Sequence, residues 1–112
     1  MMGALEIVQK QLEAYNRRDI DSFISFYSTG ITINRLSGEV ILEGMKAFRQ
    51  RYLERFNNPR LHCAIENRMV FGNTVIDYEK IEGIDSTGAY EVIVIYEISG
   101  EKIIRLTIIP KG

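Results

Sequence analysis

The chain has 112 residues, 46% hydrophobic and 26% charged, which predicts one domain spanning residues 1–112 with a single sizeable core. Its 14 Lys and Arg residues are balanced by 15 Asp and Glu residues, so no basic surface indicates nucleic-acid binding. No apolar run reaches the roughly 18 residues of a membrane span, and the N-terminus lacks the pattern of a signal peptide.

Cys63 is the only cysteine, which excludes an internal disulfide and favours a cytoplasmic location. A lone cysteine in an apolar strand is typically a small buried residue rather than a nucleophile. Because the chain has a single histidine and a single cysteine, no His/Cys metal cluster can form, and no glycine-rich phosphate loop is present. We therefore expect no metal and no cofactor.

The N-terminal quarter predicts two helices. Residues 3–17 carry apolar side chains at three- and four-residue steps, with Leu5 and Tyr15 on the buried face. Asp19 is then the expected N-cap of a second, short helix, which we expect residues 28–30 to end.

A strand, a short companion strand and a third helix follow. Residues 31–35 alternate as a strand that places Arg35 on the same side as two isoleucines. Residues 40–42 are short enough for an edge strand, and helical spacing returns over residues 44–56. Pro59 prevents that helix from continuing.

The third helix carries the densest group of arginines, Arg49, Arg51 and Arg55, interleaved with Glu54. Because these side chains are distributed around the helix, the spacing predicts a solvated face rather than a binding surface.

The rest of the chain is strand. Short turns join the strands, which forces antiparallel neighbours. The loop Gly72-Asn73 fits a type II′ hairpin, since glycine supplies the positive φ, and residues 85–88 form a second turn. The predicted strands are 61–71, 74–84, 89–98 and 102–109.

Two acids, Asp77 and Glu79, share one face of the hairpin with Val75 and Ile81. Two carboxylates on an otherwise apolar face indicate a polar position inside a sheet-lined pocket. Burial and mutual repulsion raise the pKa of one acid, so that either residue is a candidate general base. The alternative is a purely structural network in which Arg35 or Arg68 neutralises the pair.

At this point the chain resembles the nuclear transport factor 2-like superfamily, which includes ketosteroid isomerases and SnoaL-like polyketide cyclases. The resemblance is carried by residues 15–21 (YNRRDID), Phe26-Tyr27, Gly44 before the third helix, and the closing meander. It implies an α+β, cone-shaped domain of three N-terminal helices packed on a strongly curved antiparallel sheet. It also implies a concave pocket and a homodimer packed through the sheet.

The resemblance does not extend to the ketosteroid isomerase catalytic residues. Gln11 stands where that enzyme has the tyrosine of its oxyanion hole, Arg35 where it has the general base, and Val94 near its second oxyanion acid. Arginine cannot abstract a proton at neutral pH and valine cannot donate a hydrogen bond. Ketosteroid isomerisation by the family mechanism is therefore not expected.

The resemblance nevertheless implies which side chains face inward. From the last three strands these are Val75, Asp77, Glu79, Val92, Val94, Tyr96, Ile104, Leu106 and Ile108. Tyr15 and Arg35 complete the expected pocket, and His62 is placed at its mouth or on the surface. Pattern alone leaves open whether strand 61–71 points Cys63 or Arg68 inward, since a bulge would reverse the answer.

Three functions remain open. The first is an isomerase- or cyclase-like enzyme with acid–base chemistry at Asp77 and Glu79, acting on a small apolar or polyketide- or steroid-like molecule. The second is a non-catalytic protein that binds a small apolar molecule. The third is a dimeric interaction module with an aromatic-filled cavity, since Ile93, Ile95 and Ile109 make the convex face apolar.

Overall fold

Three helices and six strands are present in a computed structural model of the chain, which describes residues 2–85 and 88–112. The predicted turn at residues 85–88 includes Ser86 and Thr87, which lie outside the described residues. The elements are α1 (Ala4–Arg17), α2 (Ile20–Ile24), β1 (Tyr27–Arg35), β2 (Val40–Glu43), α3 (Met45–Arg55), β3 (His62–Phe71), β4 (Thr74–Asp85), β5 (Gly88–Ser99) and β6 (Lys102–Pro110).

The helices begin close to where the sequence places them. The Ser22 backbone N–H donates to Asp19 Oδ1 at 3.2 Å, which confirms the predicted N-cap of α2. Two expectations are wrong. Leu5 is 48% exposed, because α1 turns a neighbouring face to the core. Residues 28–30 do not form a helix stop, since β1 already begins at Tyr27.

The six strands form one curved sheet in the order β2-β1-β6-β5-β4-β3. The last four strands are the predicted antiparallel meander, and β2 pairs antiparallel with β1. β1 pairs parallel with β6, which makes the sheet mixed rather than wholly antiparallel. With the helices packed against one face, the architecture confirms the predicted α+β cone.

Bulges decide which side chains face the helices. On β3, Ile65 pairs with Glu79 but Asn67 pairs with Tyr78, so that Glu66 is an extra residue. Cys63 before this bulge and Arg68 after it therefore both point inward, which answers the question that the sequence left open.

A second bulge lies on β6. Glu97 pairs with Arg105 and Ile98 with Ile103, which leaves Ile104 unpaired. Ile103 is fully buried and Ile104 is 38% exposed. The expected inward position of Ile104 is therefore wrong, because the extra residue shifts the alternation.

Aromatic side chains fill the space between the helices and the sheet. Phe23 lies at the centre of this cluster, with ring centroids 4.9 Å from Tyr52 and 5.0 Å from Tyr27. The cluster consists of Tyr15, Phe23, Tyr27, Phe48, Tyr52 and Phe56. None of the helices in the described ranges is long and apolar enough to span a membrane.

Candidate active site

Strand β4 places both acids of the hairpin inside the fold. Its alternation holds without interruption from Val75 to Ile81, so that every second side chain is buried. Asp77 is fully buried and Glu79 is 4% exposed, as the sequence predicts. Buried carboxyl groups need hydrogen-bond or ionic partners, and the two acids have very different ones.

Asp77 is paired with Arg68 through both of its oxygens. Arg68 Nε donates to Asp77 Oδ1 at 2.6 Å, and Arg68 Nη2 donates to Oδ2 at 2.9 Å. The remaining guanidinium nitrogen, Nη1, donates to Gln9 Oε1 on α1 at 2.8 Å. A bidentate pair of this kind is strong and fixed in geometry. The charge of Asp77 is thereby paired with that of Arg68, and Asp77 does not line the cavity described below.

Glu79 has no such counterion. Tyr96 donates its hydroxyl proton to Glu79 Oε2 at 2.7 Å, and within residues 2–85 and 88–112 no lysine or arginine lies at ion-pair distance from Glu79. The pKa of Glu79 is raised from 4.5 to about 7, mainly by burial and also by repulsion from Asp77. The hydrogen bonds from Tyr96 and Cys63 and the charge of Arg68 lower the pKa without cancelling the effect of burial.

A chain of hydrogen bonds fixes the position of Glu79. Tyr27 on β1 donates to Gln11 Oε1 at 2.7 Å, and Gln11 Nε2 approaches the Tyr96 oxygen at 3.5 Å. Gln11 also donates to the Val8 carbonyl at 2.9 Å, which holds the amide in this orientation. Each donor in the chain points toward the carboxyl, so the network favours one geometry for Tyr96 and Glu79.

Glu79 lines a cavity between α1, α3 and the sheet. The cavity has a volume of about 50 Å³, which is room for a few water molecules or a small organic molecule of a few heavy atoms. Its lining consists of Gln11, Leu12, Tyr15, Phe23, Tyr27, Arg51, Tyr52, Arg55, Cys63, Glu79, Ile81, Tyr90, Val92, Val94, Tyr96, Leu106 and Ile108. The lining is thus largely apolar and aromatic, with a few polar groups.

The structure brings four of the sequence-predicted site residues together, since Tyr15, Glu79, Val94 and Tyr96 all line the cavity. Burial raises the pKa of the Cys63 thiol, which agrees with a packing role rather than a nucleophilic one.

Four of the expected site residues lie outside the cavity: Arg35, His62, Arg68 and Asp77. The placement of Arg35 corrects the sequence analysis, whereas His62 takes the surface position that the sequence analysis left open. Arg35 shares the alternation of β1 but ends the strand, where its Nε contacts Glu39 Oε1 at 2.9 Å in an exposed ion pair. His62 is exposed, because its neighbour Cys63 takes the inward position on β3.

Arg51 and Arg55 are the site residues that the sequence analysis missed. They were expected on a solvated face, yet both are partly buried and line the cavity. Their four-residue spacing places them on one side of α3, next to Tyr52. The four-residue spacing of the two arginines indicates that they share one face of the helix. Because charged side chains surround the helix, the sequence does not show that this face is the buried one.

The curved mixed sheet, the three helices and the cavity between them define a nuclear transport factor 2-like domain. The model of the SnoaL-like domain family matches residues 8–106 of the chain. The chain therefore belongs to the SnoaL-like domain family. No curated protein sequence matches it.

Solved structures support the fold. A cystatin-fold protein from Novosphingobium aromaticivorans is similar with a TM-score of 0.86 and 24% identity, over 97% of this chain and 99% of that chain. A nuclear transport factor 2-like protein from Cytophaga hutchinsonii is similar with a TM-score of 0.83 and 14% identity, over 99% of this chain and 92% of that chain. A SnoaL-like protein from Burkholderia thailandensis is similar with a TM-score of 0.79 and 14% identity, over 97% of this chain and 94% of that chain. At these identities the likeness concerns the fold alone.

Proposed function

We propose that the chain is a small acid–base enzyme of the isomerase or cyclase kind, in which Glu79 transfers a proton within a molecule bound in the cavity. The observation that supports this most is the environment of Glu79. Its buried carboxyl lines the cavity without an arginine partner, and its pKa is raised to about 7. Such a group is present in both protonation states near neutral pH, which suits a general base that later acts as an acid.

In the proposed reaction, the Glu79 carboxylate takes a proton from a carbon atom next to a carbonyl group. The C–H electron pair moves into the new carbon–carbon double bond, and the carbonyl oxygen becomes an enolate. Glu79 then returns the proton to a different atom of the same molecule. Tyr96 holds the carboxyl in place through its hydrogen bond to Glu79 Oε2.

The cavity volume favours a small substrate. Pockets for drug-sized ligands occupy roughly 300–1,000 Å³, whereas this cavity measures about 50 Å³. Asp77 has no part in this proposal, because Arg68 occupies both of its oxygens.

Hydrogen–deuterium exchange at carbon tests the proposal. Small ketones and oxo acids, among them acetone and pyruvate, are incubated in deuterium oxide with the protein, and exchange is followed by proton NMR. We expect the wild-type protein to accelerate exchange of at least one probe. Replacing Glu79 by Gln removes the base and lowers that rate by about 100-fold or more.

Glu97→Gln is the matched control. Glu97 is a partly exposed carboxylate on the face of the sheet that points away from the cavity, and it pairs with Arg105 at 3.4 Å. We expect this variant to retain the wild-type exchange rate. Equal rates for wild type and Glu79→Gln, or no acceleration by the wild-type protein over buffer, would contradict the proposal.

The aromatic cluster around Phe23 favours a second candidate, the dimeric interaction module, since these rings occupy much of the cone. Ile93 on the convex face is 38% exposed, and a homodimer formed through this face stays a prediction. An interaction module does not require Glu79 to exchange protons with a bound molecule. The exchange experiment therefore separates the two candidates.

A further inference from the structure

The cavity lining contains two arginines without a carboxylate partner. Arg51 and Arg55 lie one turn apart on α3, and their guanidinium carbons are 5.9 Å and 5.2 Å from the centre of the Tyr52 ring. In the part of the chain that the structure describes, neither forms an ion pair with an acidic side chain. Arg51 Nε is also buried without a hydrogen-bond partner there.

A second polar group in the same lining lacks a hydrogen-bond partner of normal geometry. The Tyr15 side chain is 6% exposed, and its hydroxyl oxygen makes no hydrogen bond of normal geometry with any described residue. Arg55 is the cation next to this hydroxyl, and the two side chains interact by charge and by a weak hydrogen bond that falls short of normal geometry. Buried polar groups without partners are uncommon in folded proteins, and a ligand atom is one explanation for them.

These groups are separate from the acid. The two arginines lie on α3 beside the Tyr52 ring, whereas Glu79 lies on β4 and accepts a hydrogen bond from Tyr96. The cavity therefore has a cationic side next to Tyr15 and Tyr52 and an acidic side next to Tyr96. A molecule that contacts both sides has one anionic end and one end without charge.

We propose that Arg51, Arg55 and Tyr15 form a subsite for the carboxylate of a small organic acid, whose hydrocarbon part extends past Val94 toward Glu79. The planar guanidinium group matches a carboxylate through two parallel hydrogen bonds, and the tyrosine hydroxyl adds a donor. This inference rests on the proposed function, because it names the substrate class of the same cavity. With about 50 Å³ available, the acid is a short-chain one.

Binding of butyrate and butyramide tests the subsite, since the two molecules have nearly the same shape and differ in charge. Affinities are measured from amide chemical shifts in NMR titrations of the wild-type protein. We expect butyrate to bind about tenfold more tightly than butyramide, as a charge-assisted hydrogen bond predicts. Arg55→Gln is expected to remove this preference.

Lys46→Gln is the matched control, because Lys46 is an exposed cation on the same helix. It should leave both affinities unchanged, which separates a specific contact from a general effect of charge. Tyr15→Phe keeps the ring in the aromatic cluster and is the second variant if Arg55→Gln does not fold. It should weaken butyrate binding several-fold.

The subsite is contradicted if wild type does not bind butyrate, if butyrate and butyramide bind equally, or if Lys46→Gln weakens butyrate binding as much as Arg55→Gln. These results are distinguishable from a failure of the proposed function. If Arg55→Gln binds butyrate as wild type does, while Glu79→Gln still loses the exchange activity, the subsite is contradicted and the proposed function is not. If Arg55→Gln weakens butyrate binding but no exchange depends on Glu79, the subsite is supported and the proposed enzymatic function is contradicted.

Discussion

Replacing Arg68 by Met is expected to lower the free energy of unfolding by about 3–5 kcal/mol, the usual result of leaving a buried charge without its partner. Asp77 is fully buried, and both of its oxygens accept hydrogen bonds from Arg68. The variant also loses the contact between Arg68 and Gln9, which links β3 to α1. Urea unfolding at neutral pH measures the change.

Arg105→Met is the matched control for this prediction. It removes the same type of side chain from an ion pair on the same sheet, but the pair between Arg105 and Glu97 is exposed and its atoms are 3.4 Å apart. Exposed pairs contribute about 1 kcal/mol or less. Equal losses for Arg68→Met and Arg105→Met would show that the Asp77–Arg68 pair does not stabilise the fold as we describe. The double variant with Asp77→Asn should recover part of the loss, since no charge is then left unpaired.

Glu79 is expected to make stability fall as the pH rises. In the folded chain its pKa is about 7, against an ordinary value of 4.5, so the unfolded chain releases the proton at lower pH than the folded one. Between these two pH values the folded chain binds more protons than the unfolded chain, so the free energy of unfolding decreases as the pH rises. At about 1.4 kcal/mol per pKa unit, the total decrease is about 3 kcal/mol.

The difference in stability between wild type and Glu79→Gln isolates this effect, because all other titrating groups are shared. Glutamine is neutral at every pH, and we expect the variant to gain stability relative to wild type as the pH rises from 4.5 to about 7. Glu97→Gln, which removes a partly exposed carboxylate, should show a much smaller trend. A difference between wild type and Glu79→Gln that is constant with pH would contradict the raised pKa.

The sequence was sufficient to predict the acids of β4 and the overall fold. Buried and outward-facing side chains alternate from Val75 to Ile81, and no bulge breaks this stretch of β4. The inward positions of Asp77 and Glu79 therefore follow directly from the sequence pattern. The closing meander is equally local, since each strand is joined to the next by a short turn.

The remaining errors have physical causes that do not appear in single-residue patterns. The bulges at Glu66 and Ile104 reverse the alternation of their strands, and nothing in the local composition marks them. Arg35 follows the alternation of β1, but it lies at the strand end, where Glu39 is within reach.

The cationic side of the cavity was missed for a different reason. The helix that carries Arg51 and Arg55 has charged residues around most of its circumference, so periodicity does not reveal which face is buried. The parallel pairing of β1 with β6 likewise joins distant parts of the chain and has no local signature.

The pKa of Glu79 is the quantity on which the proposed chemistry depends most directly. It can be measured by NMR titration of isotope-labelled glutamate side chains, with the resonance assigned by its absence in Glu79→Gln. The structure predicts a midpoint of about 7. A midpoint near the ordinary value of 4.5 would show that the carboxyl is charged throughout the neutral range, and it would contradict the proposed role of Glu79 as a proton carrier.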